Sequence, residues 1–308
     1  MSKLAIEVRG LRKTYGTHVA VDGIDLVVPE GEIFGLLGSN GAGKTSTVEI
    51  LEGIRARSGG DARVLGFDPT GQSKELKDRI GVCLQNTNLP GNIRVGEAMR
   101  LFSRLYSRVA DTDGLLARVD LADKKNAFYR TLSGGQQQRL AIALALVNAP
   151  SLVFFDEPTT GLDPQVRREI HRLIGELRTE KCTVLLTTHY IEEAERLCDR
   201  VAIMDRGRVI AQGTPREIQE GTLGKALVEA RFHAPGPTGE IAFPTALNVE
   251  RRDDGRGLLL RTNDPGTCVA ELVRWCDAQG LRLEDIAVRR ASLEDAFIAL
   301  TGRALPES

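Results

Sequence analysis

Apolar residues open the chain in three short runs, Leu4 to Val8, Val19 to Val28 and Ile33 to Leu37, divided by glycine and proline. Runs of that length with that punctuation predict β-strands, arranged as an antiparallel flap that feeds one buried strand. After a glycine-rich turn at 38–43 the spacing becomes helical over 44–54, with Val48, Leu51 and Ile54 near one face. From about 86 to 149 the pattern stays mainly helical. Met99, Phe102, Leu105 and Tyr106 form one stripe and Leu115, Leu116 and Val119 another, which predicts an inserted helical lobe. Leu152 to Phe155 then reads as a buried strand, Val166, Ile170, Leu173, Ile174 and Leu177 as a helix face, and Thr183 to Thr187 as the next strand. Strand, helix, strand without a hairpin turn implies a parallel sheet, and so an α/β core.

The last third changes character. Ala226 to Phe232 alternates like a half-buried strand, a Gly- and Pro-rich stretch spans Ala234 to Gly239, and Leu258 to Leu260 marks a second strand. Val269, Leu272, Val273 and Cys276 share a helix face, and Leu293, Ala296, Phe297 and Leu300 repeat it. Ser292 with Asp295 resembles a capping box, and Gly302 stands where that helix should stop. Two domains are expected, residues 1–221 and a small α+β domain in 222–308.

Composition narrows the setting. The 41 basic residues nearly cancel the 42 acidic ones, so no global field draws this chain to nucleic acid, and no nucleic-acid partner is expected. Five scattered cysteines without a CxxC pair argue against a disulfide framework or a zinc site and fit a reducing cytoplasm. Charge interrupts the apolar N-terminal run, and no later run reaches the roughly 18 apolar residues of a membrane span.

Gly38-Ser39-Asn40-Gly41-Ala42-Gly43-Lys44-Thr45 satisfies GxxxxGK[ST] between a predicted strand and a predicted helix that runs on through Ser46. Its glycines allow backbone N–H groups to converge on phosphate oxygens, with the helix N-terminus adding a favourable dipole. Lys44 is placed to meet the β- and γ-phosphates and Thr45 to offer its hydroxyl to magnesium, so ATP and Mg2+ are the expected ligands. Asp156 and Glu157 end an apolar strand, where adjacent side chains should diverge: Asp156 towards the metal, Glu157 towards the water that attacks the γ-phosphate. His189 follows Thr187-Thr188 at another strand end, where a neutral imidazole can donate to that phosphate.

Leu132-Ser133-Gly134-Gly135-Gln136, between the P-loop and the acidic strand, resembles the signature motif of ATP-binding-cassette (ABC) ATPases, and the resemblance covers about residues 4–218. It implies further roles: Tyr15 as the adenine-stacking aromatic, Gln85 as the Q-loop residue that ligates magnesium and senses the transport partner, Gly161-Leu162-Asp163 as the D-loop, and His189 as the switch histidine. It also implies a head-to-tail homodimer with two sandwiched ATPs, each held by one subunit's P-loop and the other's Ser133, Gly134, Gly135 and Gln136. Translation-type ABC factors usually carry two cassettes, and DNA-repair ABC proteins interrupt theirs with coiled coils. One cassette with no heptad insertion therefore resembles a transporter motor. The tail Ala291 to Gly302 resembles ABC-2-type exporter ATPases of the multidrug and daunorubicin-resistance kind. That favours export over import, a separate ABC-2-type permease, and a cytoplasmic place on the inner face of the membrane. The segment Asn86 to Asn92 matches no one substrate class, and Trp275, the Arg251 to Asp254 run and the Glu192, Glu193 and Glu195 cluster read as packing, a solvated turn and an exposed helix face.

Overall fold

The computed structural model describes residues 3–71, 74–85, 87–236, 241–252 and 254–304. Asn86, Asp253 and positions 237–239 of the Gly- and Pro-rich stretch lie outside them. The chain divides into two compact units between Gln212 and Gly213.

In the first unit β1 (Leu4–Tyr15), β2 (His18–Pro29) and β4 (Gly59–Val64) form a three-stranded flap in the order β2-β1-β4, with antiparallel pairing. A six-stranded sheet holds β5 (Ile80–Cys83), β6 (Leu152–Asp156), β7 (Thr183–Thr188), β3 (Ile33–Leu37), β8 (Arg200–Asp205) and β9 (Arg208–Gly213) in that spatial order. Pairing from β5 through β8 is parallel. Every residue of β3, β6 and β7 is buried, as expected of strands covered on both faces, and this is why they read as continuous apolar runs.

Helices α1 (Lys44–Leu51) and α2 (Lys74–Lys77) precede the lobe elements α3 (Val95–Ser103), α4 (Thr112–Arg118) and α5 (Gly134–Ala145), and α6 (Pro164–Thr179) and α7 (Ile191–Leu197) flank β7 in sequence. α1 is shorter than its apolar spacing predicts. Glu52 caps it and Gly53 turns at φ +75°, which leaves Ile54 58% exposed. Leu105 likewise falls beyond the end of α3 and is exposed. β4, β5, β8 and β9 were not among the strands expected from the chain, although β8 carries a buried apolar run from Val201 to Met204; in β4 only Ala62 and Val64 face the core behind a Gly-Gly start.

The second unit runs α8 (Pro215–Leu223), β10 (Ala226–Phe232), β11 (Ala246–Arg251), β12 (Gly257–Thr262), α9 (Pro265–Gln279), β13 (Leu283–Arg289) and α10 (Leu293–Thr301). Its antiparallel sheet has the order β11-β12-β10-β13, and α9 lays Cys268, Leu272 and Cys276 on Val228, Ala230, Phe232, Leu258 and Leu260. Trp275 packs 5.7 Å from the Phe243 ring, a core role. Ser292 and Asp295 cap α10 reciprocally, and Gly302 ends it at φ +72°. The unit begins at Gly213, ahead of the expected 222, because α8 packs against α10. β11 and β13 escape sequence detection because, as edge strands, most of their residues are not buried. All five cysteines are buried and unpaired.

Candidate nucleotide-binding site

The loop Gly38 to Gly43 leaves the carboxyl end of β3 and turns into the N-terminus of α1. Two glycines are sterically required. A Cβ on Gly43, whose φ is +102°, would sit 2.4 Å from the Ala20 carbonyl oxygen, and one on Gly38 would sit 2.4 Å from the Met204 carbonyl oxygen. Lys44, only 4% exposed, donates from Nζ to the carbonyls of Gly38 at 2.8 Å and Ser39 at 3.3 Å. Its ammonium also lies 3.4 Å from Glu157 Oε1. Burial pushes the Lys44 pKa below its ordinary value, and the charges of Glu157 and Asp156 partly offset that.

Asp156 ends β6 opposite Thr187 of β7, whose hydroxyl donates to Oδ1 at 2.5 Å. Burial raises the Asp156 carboxyl, while hydrogen bonds from Thr187 and Thr45 and the Lys44 charge oppose that rise. The neighbouring Glu157 leaves the strand with φ +47°. The two acids are therefore separated by a backbone turn, not by the alternation of a continuing strand. That turn is held from β7, since Glu157 N–H donates to Thr187 Oγ1 at 3.0 Å.

Glu157 gathers the predicted residues around one carboxylate. Its Oε2 accepts from Gln85 Nε2 at 3.2 Å and from the Thr160 hydroxyl at 3.1 Å, and His189 Nδ1 stands 3.2 Å away. Tyr15, 38% exposed as a residue, also lines the pocket these groups form, its hydroxyl 3.1 Å from Ser46 Oγ. Lys13 Nζ lies 5.0 Å from the centre of the Tyr15 ring. The result is an open pocket of about 530 Å³ lined by Tyr15, Asn40, Gly41, Gly43, Lys44, Thr45, Ser46, Gln85, Glu157 and His189, with His18, Ala20 and Thr160 added. Gly38, Ser39 and Ala42 shape the loop beneath it without lining it.

Ser133, Gly134, Gly135, Gln136 and Asp163 do not line this pocket. Ser133 caps α5, its Oγ accepting from Gln136 N–H at 3.3 Å while Gln136 Oε1 accepts from Ser133 N–H at 3.0 Å. A Cβ on Gly135 would lie 2.9 Å from Val166 Cγ2, so glycine is what lets α5 approach α6. Asp163 caps α6 by accepting from the backbone of Gln165 and Val166, each at 3.0 Å.

Two residues read differently in three dimensions. Glu193, expected on an exposed helix face, is 3% exposed, because α7 turns it inward against Thr159 and His171. Glu52 is 4% exposed with neither carboxylate oxygen paired to protein, and burial pushes its pKa up to about 8. Because the folded value exceeds the unfolded one, the native state holds the extra proton, and stability is lost as pH rises from about 4.5 to about 8. Glu52→Gln is therefore expected to raise Tm at pH 8 and to flatten the Tm–pH profile over that window, as read by calorimetry; an unchanged profile would remove Glu52 as its cause.

Comparison with known proteins decides the family. The profile described as ABC transporter matches residues 21–160, and one described as the C-terminal domain of ABC transporter domain-containing protein-like chains matches 229–292. Nod factor export ATP-binding protein I of Ralstonia nicotianae is 39% identical over 97% of this chain and 94% of its own length. The chain belongs to the ABC transporter ATP-binding family. The daunorubicin/doxorubicin resistance ATP-binding protein DrrA of Streptomyces peucetius is 37% identical over 97% of this chain and 92% of its own. A solved dimeric structure of MJ0796, a bacterial ABC transporter cassette, aligns with a TM-score of 0.61 at 27% identity, covering 68% of this chain and 98% of that one. This ABC ATPase binds and hydrolyses ATP on a P-loop NTPase core. Among its described residues no helix is long and apolar enough to cross a membrane.

Proposed function

We propose that this ABC ATPase drives an exporter, working from the cytoplasmic face of the membrane through a separate ABC-2-type permease that carries a drug-, antibiotic- or lipid-like molecule. The full-length similarity to proteins named for Nod factor export and for daunorubicin resistance supports export. The observation that carries the mechanism is the convergence of Lys44, Gln85 and His189 on the Glu157 carboxylate while Ser133 to Gln136 cap a helix elsewhere. One chain thus offers two separate anion-binding elements for one nucleotide phosphate tail, which supports a head-to-tail dimer with two shared ATPs.

Residues Gly38 to Ser46 cradle the phosphates and Tyr15 stacks on the adenine. Lys44 meets the β- and γ-oxygens, and the γ-phosphate accepts from His189 and from the partner's signature helix. Glu157 accepts hydrogen-bonding from the attacking water and takes its proton as the water oxygen bonds to phosphorus and the ADP oxygen leaves. Asp163, at the start of α6, supports the dimer contact. The hard oxygen donors of Asp156 and Thr45, with the Gln85 side chain, fit magnesium: buried Asp156 lies beside Thr45, and that carboxylate gains from a second cation besides Lys44. A magnesium ion held by these residues would supply Lewis-acid neutralisation of phosphate charge.

The test is the ATPase rate of the purified chain against its own concentration, with and without magnesium. Specific activity that depends on magnesium and rises with concentration is the expected result. A concentration-independent rate from a species that sizes as a monomer with ATP would overturn the shared site.

A further inference from the structure

One buried carboxylate has no duty in the nucleotide pocket. Glu193, on α7, is 3% exposed, and the two groups that meet it, Thr159 and His171, are 1% and 8% exposed. Glu193 Oε1 accepts the Thr159 hydroxyl at 2.9 Å and stands 2.8 Å from His171 Nε2. In the tautomer with the hydrogen on Nε2, the ring is a second donor to that oxygen. Glu193 Oε2 and His171 Nδ1 have no protein hydrogen-bond partner. Replacing a buried ionic pair as a whole by apolar residues of similar volume is often neutral, so stability alone does not account for such a cluster, whereas removing one partner leaves the others unsatisfied. Geometry gives them a purpose.

A single oxygen joins three segments: the loop that continues from Glu157, the helix that Asp163 begins, and the helix that follows His189. Glu157 sits at φ +47°, a backbone region that residues with a Cβ resist, so its loop needs anchoring on both sides. Thr187 supplies one anchor through the Glu157 N–H. We infer that Glu193 supplies the other. It is a positioning residue that, through Thr159 and His171, holds the Glu157 loop against α6 and α7 and so keeps Glu157 and His189 3.2 Å apart. This inference rests on the catalytic assignment of Glu157 and His189 above.

The experiment measures kcat, KM for ATP and the affinity for a fluorescent ATP analogue in the full chain for E193L, E193Q, T159V and E157Q. E193L and T159V are expected to lower kcat by about 10- to 100-fold, the scale of a misplaced catalytic group, with KM and affinity held within about threefold. E193Q, whose carbonyl oxygen can still accept both donors, regains most of the kcat that E193L loses. If E157Q is slow while E193L and T159V turn over at the wild-type rate, the positioning role fails and the catalytic assignment stands. If E157Q itself turns over normally, the catalytic assignment fails, and this inference with it. A parallel fall of kcat, ATP affinity and Tm would mean that the triad only holds the fold, and would also overturn the inference. Should E193L not fold, T159V, which removes one hydroxyl at constant shape, decides.

Discussion

Glu157→Gln is expected to slow ATP hydrolysis by about 10²- to 10⁴-fold while leaving ATP binding within a few-fold of wild type. The substitution is nearly isosteric and keeps an amide oxygen that can still accept from Gln85 and Thr160, whose present contacts are 3.2 Å and 3.1 Å. It removes the charge that can take a proton from water, and with it the anion 3.4 Å from Lys44. Losing that anion leaves the ammonium free for phosphate, so affinity should hold or rise. Single-turnover hydrolysis with the equilibrium affinity of the same variant makes the check, and turnover near the wild-type rate would remove Glu157 as the base. Sizing the variant with ATP extends the test, because ATP that is bound and not hydrolysed should accumulate the dimer.

Lys44→Ala should act earlier in the cycle. A phosphate would lose a charge-assisted donor worth about 1.5–3 kcal/mol, or roughly 10- to 100-fold in affinity, and transition-state charge would lose the same partner. Two effects oppose each other in the free protein. The buried ammonium is costly to keep charged, so its removal relieves a strain that already depresses its pKa. Glu157 and Asp156 are then left beside each other with less compensation. ATP titration by calorimetry, with kcat, should show weaker binding and slower turnover together. Unaltered ATP affinity would mean that Lys44 serves only to hold the empty loop through Gly38 and Ser39.

The glycine-rich loop and the strand ends that form the pocket were legible in the chain because their chemistry is local. Gly38 to Thr45 must be glycine-rich wherever a backbone approaches phosphate, and Ile33 to Leu37 and Leu152 to Phe155 must be apolar wherever both faces of a strand are covered. The cap at Ser292 is local as well, since its side chain reaches only three residues ahead; those at Ser133 and Asp163 are equally local but were read only as motif residues. Long-range features were not legible. β4 and β13 are strands because β1 and β10 offer them edges, and their own residues carry little apolar signal. Glu193 lies in an acidic run that looks solvated, and only the packing of α6 and α7 turns it onto Thr159 and His171. The divergence of Asp156 and Glu157 was anticipated, but its cause was not, because a residue at φ +47° is imposed by neighbours such as Thr187 and not by its own type. The sequence by itself thus determined where the glycine-rich loop joins strand to helix and where β3 and β6 are buried on both faces, since both follow from groups close in the chain. The tertiary structure alone decided which side chains meet at Glu157 and which carboxylates are shut away from water, because hydrogen bonds and burial between distant segments exist only once the sheet has ordered β3, β6 and β7 side by side.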